Sequence, residues 1–182
     1  MLRPAEEAVP ASLGGRWWVA HTKPRAEKSL AHDLTTRGVF CYLPICRRQT
    51  RSRTTGRTST SLIPVFASYL FVNGDENQRR TALATQRVVS TLVVHGQQEL
   101  IAQLQQIQRV LASESPFEWG ETLETGDWVR VTAGPLAGVE GVVVRRLRKA
   151  RLALNVTMLS QSVRVEVDRS LLERIDPPAY TL

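Results

Sequence analysis

The chain has 182 residues, 42% apolar and 23% charged, enough for one ordinary domain or two small ones. Its 24 Lys+Arg, mostly arginine, exceed 17 Asp+Glu for a formal charge of +7, which leans toward an anionic partner. Two cysteines, modest glycine and proline contents and no apolar run near the roughly 20 residues that span a bilayer exclude disulfide frameworks, collagen-like chains and transmembrane helices. Residues 1–16 carry Glu6 and Glu7 and lack the hydrophobic core of a signal peptide, so they are expected to be a disordered tail on a cytoplasmic protein.

Residues 17–113 carry a net charge of +8 and read as the first domain. Trp17-Trp18-Val19-Ala20, bounded by Gly14-Gly15, predicts a buried strand. Pro24 stands where a helix can begin, Ala26, Leu30 and Leu34 give it an apolar stripe, and Gly38 closes it. Val39 to Ile45 predicts a second strand. Cys41 and Cys46, an odd number of residues apart there, would lie on opposite faces as buried reduced thiols. Arg47, Arg48, Arg51, Arg53 and Arg57 then place five arginines in eleven residues without an acid, on a hairpin turning at Thr55-Gly56. Such a cluster repels itself unless an anion is near, and nucleic acid is the expected partner. Ser68–Val72 is the strongest strand signal, followed by a short helix over 76–85 and a strand from Val88 to Val94. Leu100, Leu104, Ile107 and Leu111, widened by Ile101, mark an amphipathic helix. This order predicts an α+β fold, helices packed on an antiparallel sheet.

Residues 114–124 hold four glutamates and no base, with Pro116 and Gly120, and read as an acidic linker. From 125 to 176, at net +3, the hydrophobic period is two. Short strands at Trp128–Val131, Val142–Val144, Leu152–Val156 and Val163–Val167 recur about every ten residues and predict a small β-barrel, with a tail at 177–182.

Gly126-Asp127-Trp128-Val129-Arg130-Val131-Thr132-Ala133-Gly134-Pro135-Leu136-Ala137-Gly138-Val139-Glu140-Gly141-Val142-Val143 resembles the KOW motif of NusG-type transcription elongation factors. Gly134-Pro135 and Gly138 suit a tight loop between two barrel strands, and Gly141 a bend in the second. Trp17 to Lys28 is similar to the opening strand and helix of the NusG amino-terminal (NGN) domain, and Ile63-Pro64-Val65-Phe66-Ala67-Ser68-Tyr69-Leu70-Phe71-Val72 to its signature strand. The resemblance covers about 17–176. It implies an RNP- or ferredoxin-like NGN domain followed by an SH3-like KOW barrel. Lys23-Pro24-Arg25-Ala26-Glu27-Lys28, Leu43-Pro44 and Tyr69–Val72 resemble specialised paralogues of the RfaH or polysaccharide-locus antiterminator kind. Ala67-Ser68 departs from the Pro-Gly or Pro-Asn usual before the tyrosine. Gln78-Arg79-Arg80 departs from the His-Thr-Thr polymerase contact of RfaH.

The resemblance implies a protein that binds the clamp helices of RNA polymerase, bridges its cleft and promotes processive elongation or antitermination. His21, Tyr69, Phe71 and Leu92 are its candidate polymerase-facing residues. Lys23, Arg25, Lys28 and Arg37 fall where specialised paralogues read non-template DNA, and the arginine hairpin is placed for upstream DNA or a polymerase-bound strand. Arg145, Arg146, Arg148, Lys149 and Arg151 cluster at one barrel turn. Family KOW barrels dock a small-subunit ribosomal protein or Rho; the turn fits either, RNA, or a solvated loop. Strict β alternation over 128–167 argues against the helical refolding of the RfaH barrel. A housekeeping factor acting with Rho and a ribosomal or RNA-binding KOW protein are the competing readings. His21, His32 and His95 have no metal spacing, and no Walker loop, nucleophile elbow or paired-carboxylate motif occurs. A monomeric binding protein without enzyme activity, metal, cofactor or membrane is therefore expected.

Overall fold

The computed structural model describes residues 9, 14–51, 54–113, 115–121, 126–146, 149–156 and 159–178. The backbone forms two compact units, the first ending at His95 and the second beginning at Gly96. In the first, β1 (Arg16–Thr22) is apolar on both sides and lies between β5 (Tyr69–Gly74) and β6 (Val88–Val93). The short β2 (Cys41–Tyr42) completes an antiparallel sheet in the order β2-β5-β1-β6. Helices α1 (Glu27–Thr36) and α2 (Glu76–Ala84) follow β1 and β5, giving the βαββαβ succession of a ferredoxin-like domain. Leu30, Ala31 and Leu34 of α1 and Ala82 of α2 pack on Ala20, Leu70, Val72 and Cys41, so the helices cover one sheet face.

Two local features differ from the sequence expectation. Helix α1 starts at Glu27 and not at Pro24, because Arg25 takes a left-handed conformation (φ 61°) that interrupts the turn before it. Its other end lies where Gly38 predicts it, with Gly38 N–H donating to Thr35 O (3.0 Å) and Val39 N–H to Leu34 O (2.9 Å). The single strand expected over Val39–Ile45 is two, β2 and β3 (Ile45–Arg51), because Leu43-Pro44 breaks the ladder. Cys41 and Cys46 thus belong to different sheets; both are buried and in no disulfide, and burial pushes the Cys46 thiol up. Strands β3 and β4 (Thr58–Pro64) pair only with each other, as a two-stranded ribbon inserted between β2 and β5.

The second unit holds α3 (Gln97–Ala112), which the sequence reading counts with the first domain. It buries Leu100, Ile101, Leu104, Ile107 and Val110. An antiparallel sheet in the order β12-β8-β9-β10-β11-β7 follows, from β7 (Phe117–Glu121), β8 (Trp128–Val131), β9 (Glu140–Arg146), β10 (Lys149–Val156), β11 (Gln161–Asp168) and β12 (Leu172–Arg174). The period of two has its reason in β11, where Val163, Val165 and Val167 are buried and Glu166 is exposed. Within the expected linker, Phe117–Glu121 is not free chain but a strand, paired from Phe117↔Val165 to Glu121↔Gln161. Its alternation of Phe117, Trp119 and Glu is a strand pattern that the four glutamates obscured.

Candidate functional site

The sheet face opposite α1 and α2 carries the residues expected to meet polymerase. Cross-strand register sets His21 opposite Tyr69 and Val19 between Phe71 and Leu92, so all four candidates share this face. His21 and Tyr69 are half-buried, with ring centroids 5.3 Å apart and planes inclined by 31°. Leu92 is also half-buried. Phe71 differs: at 0% exposure it is covered by its neighbours, packing against Phe66 edge-to-face (6.2 Å) and Tyr42 (6.5 Å). The Tyr42 hydroxyl is buried with no hydrogen-bond partner among the described residues, and burial raises its pKa.

At the end of the sheet where β1 leaves, three loops meet. Lys23 N–H donates to Arg87 O (2.9 Å), and Thr22 N–H to Ser68 O (2.8 Å). Each loop holds a non-glycine residue in the left-handed region: Arg25 (φ 61°), Ser68 (φ 65°) and Gln86 (φ 57°). A buried carboxylate holds Ser68 in this state: Glu27 Oε1 accepts the Ser68 N–H at 2.6 Å. Lys23 and Arg25 are exposed beside this pin. Arg37 caps the far end of α1, also exposed; Arg87 grips Asp33 at 2.7 Å and, with Arg37 and His32 near, holds the Asp33 carboxyl below the usual carboxylate range. Lys28 donates to the carbonyl of Leu62, tying the ribbon root to α1.

Helix α2 uses its polar side chains locally. Asp75 Oδ1 accepts from Asn77 and Gln78 N–H, and Gln78 Oε1 accepts the Asp75 N–H. Arg79 forks onto Glu76 (2.7 and 2.8 Å), donates to Thr91 Oγ1 (2.8 Å) and lies 5.2 Å from the Trp18 ring centroid. This pairing lowers the Glu76 pKa and raises that of Arg79. Gln78 and Arg79 therefore have structural roles, and Arg80 is the exposed member of the trio.

On the ribbon, Arg47 pairs with Leu62, Arg48 with Ser61, Gln49 with Thr60, Thr50 with Ser59 and Arg51 with Thr58. Arg47 and Arg48 are exposed on its opposite faces, and Arg57 is exposed beside the turn. Arg53 lies outside the described residues.

In the barrel, Gly126 (φ 124°) must lack a side chain, because a Cβ there would stand 1.9 Å from Val143 O. At Gly141 a Cβ would come within 2.5 Å of Ala153 O, so close strand approach fixes that residue. The Gly134-Pro135 to Gly138 loop folds on itself, Ala137 N–H donating to Gly134 O (3.0 Å) and Gly138 N–H to Val131 O (2.8 Å), with Leu136 and Val139 buried beneath. Asp127 pairs with Arg174 of β12 at 3.3 Å, and Arg130 with Glu140 across β8 and β9 at 2.8 Å. Two residues the sequence reading missed hold this loop from α3: Arg109 Nη1 donates to Gly138 O (3.0 Å), and Gln106 Oε1 accepts the Glu140 N–H (3.2 Å). They lie three apart on the helix's polar side, where sequence carries no sign of a partner. Of the basic barrel turn, Arg148 lies outside the described residues, while Arg145, Arg146, Lys149 and Arg151 belong to the adjoining ends of β9 and β10.

Among the described residues no group of three or more His, Cys, Asp or Glu is placed to hold a metal ion, and no helix is long and apolar enough to cross a membrane. No curated protein matches the chain in sequence. Similar solved structures include "Domain interaction in Thermotoga maritima NusG", 17% identical over 88% of this chain and 97% of that one, with a TM-score of 0.46. An MjSpt4:Spt5 complex in conformation B is 16% identical over 88% and 97% of the two chains, at 0.30. The assignment rests instead on two sequence families: "Transcription termination factor nusG" matches residues 15–111, and "KOW motif" matches 125–168. With an NGN domain and a KOW domain in that order, the chain belongs to the NusG family of non-enzymatic transcription factors, whose general role is in elongation.

Proposed function

We propose that the chain binds RNA polymerase in the elongation complex through the His21–Tyr69–Leu92 strip and promotes processive elongation or antitermination. The observation that carries this reading is the shared sheet face: two half-buried rings 5.3 Å apart and a half-buried leucine, on the face opposite α1 and α2. An apolar strip with a polar handle suits the clamp helices. Lys23, Arg25 and Arg37, with the ribbon arginines, meet non-template or upstream DNA; Lys28 contributes chiefly by holding the ribbon root. The KOW barrel docks a second protein, a small-subunit ribosomal protein or Rho. Binding alone accounts for the activity, in a cytoplasmic monomer resembling the specialised paralogues.

The test is polymerase pull-down followed by transcription on a paused template. The unaltered chain shortens the pause, and Tyr69→Ala weakens polymerase binding at least tenfold while keeping the unfolding midpoint within a few degrees. Slower elongation overturns the antitermination reading, and longer pauses that release RNA when Rho is added favour the housekeeping one. Full binding by a folded Tyr69→Ala variant removes the strip from the interface.

A further inference from the structure

The β3–β4 ribbon carries more than a generic attraction to anions. Between Asp33 and Asp75 the sequence has no acidic residue, while Arg37, Arg47, Arg48, Arg51, Arg53 and Arg57 all fall in that window. Among the described residues no carboxylate pairs with Arg47, Arg48 or Arg57.

Two observations narrow the class of polyanion. Between Tyr42 and Phe66 there is no aromatic residue, so the ribbon has no platform on which unpaired bases could stack, the main source of affinity in single-strand binders. Apart from the half-buried Leu62 opposite Arg47 near the root, the ribbon is polar or basic on both faces. Arg47 and Gln49 face one way with Thr60, while Arg48 and Thr50 face the other with Ser59 and Ser61, all exposed. An element lying flat on a surface needs one such face; an element flanked by phosphates on two sides needs both. Arginine, serine, threonine and glutamine are among the side chains that contact phosphate oxygens.

We infer that the ribbon takes double-stranded B-form DNA, entering the major groove so that Arg47 and Arg48 reach opposite phosphate walls. This rests on the reading of these arginines as nucleic-acid ligands. The groove, about 12 Å wide, admits a two-stranded ribbon. Beyond the buried Ile45 and Cys46, the five remaining residues of β3, about 16 Å, span roughly half of one helical turn. The deep, narrow major groove of an RNA duplex does not admit such an element. The root is stiff enough to aim it: Ile45 and Cys46 are buried, Val65 N–H donates to Pro44 O (2.8 Å), and Lys28 holds Leu62 O.

The test uses the full chain and three labelled probes of one mixed sequence: a 24-base-pair DNA duplex, its single strand and the matching RNA duplex. Binding is followed by fluorescence anisotropy over a salt series. The DNA duplex is expected to bind at least fivefold more tightly than either other probe. Arg47→Ala and Arg48→Ala are each expected to lower the log K against log salt slope by about one, and the double variant by about two. Tighter binding of the single strand or the RNA duplex overturns the inference, as does a slope that responds to one face only. Circular dichroism checks that each variant is folded, and Arg47→Lys with Arg48→Lys, which keep the charge, are expected to keep the slope. Polymerase core binding without nucleic acid is measured on the same variants. Its absence in the unaltered chain sinks the proposed function and leaves the ribbon result standing, whereas intact polymerase binding with no duplex preference does the reverse.

Discussion

Ser68 and Glu27 show how one side chain holds another residue in an unfavourable backbone state. A left-handed serine costs about 1–2 kcal/mol relative to its relaxed conformations. The buried Glu27 carboxylate stabilises it by accepting the Ser68 N–H. Ser68→Gly is therefore expected to raise stability by about 0.5–1 kcal/mol, since glycine's added chain entropy offsets part of the relief. Glu27→Ala, which strands that N–H, should lower stability by about 1–3 kcal/mol, and Glu27→Gln by less. Urea denaturation of the three variants checks the order. The Asp33–Arg87 pair gives a pH signature. Because the Arg87 guanidinium holds the Asp33 carboxyl below its usual range, its contribution is fully present above the unfolded carboxylate pKa and is lost as pH falls through the lower folded value. Asp33→Asn should thus lower the melting temperature slightly at pH 7, and the difference should close in strong acid, as scanning calorimetry across pH would register.

At the scale of the element, the barrel depends on backbone proximity that sequence patterns express only as glycines. Gly126→Ala places a methyl on Val143 O and should destabilise the barrel by about 2 kcal/mol or more, with Gly141→Ala close behind. Amide exchange in the barrel strands of each variant reports the loss. The resemblance placed both glycines, and geometry gave Gly141 a different reason: contact with β10 rather than a bend. The ribbon was legible because β-branched and hydroxylated residues around Thr55-Gly56 favour extended chain. Its isolation from the main sheet was not, since nothing in Val39–Ile45 other than Pro44 announces the break.

For the whole molecule, two α+β and β modules were legible because hydrophobic period changes from mixed to two near Gly126, and the two matched families span both modules. Helix α3 is counted with the first domain in sequence, and the nusG match over residues 15–111 takes it in, while Gln106 and Arg109 also join it to the KOW loop. Phe71 was less legible: strand parity puts it on the face of Tyr69, and depth is set by Phe66 and Tyr42, which parity does not see. At this scale, replacing Arg109 with alanine should raise exchange at the Gly138–Glu140 amides severalfold while those of β1 and β5 stay unchanged, a pattern that mass spectrometry of the intact chain can read.

The hydrogen bond from Val65 to Pro44 closes the base of the ribbon, and the four strands of the main sheet pair with one another in an order that leaves β3 and β4 out. Beyond the buried Ile45 and Cys46, the ribbon can vary in length and charge without breaking a pair of the main sheet. Substitutions there can therefore alter what the ribbon attracts while the main sheet stays still, so surface chemistry and foldability evolve at separate rates.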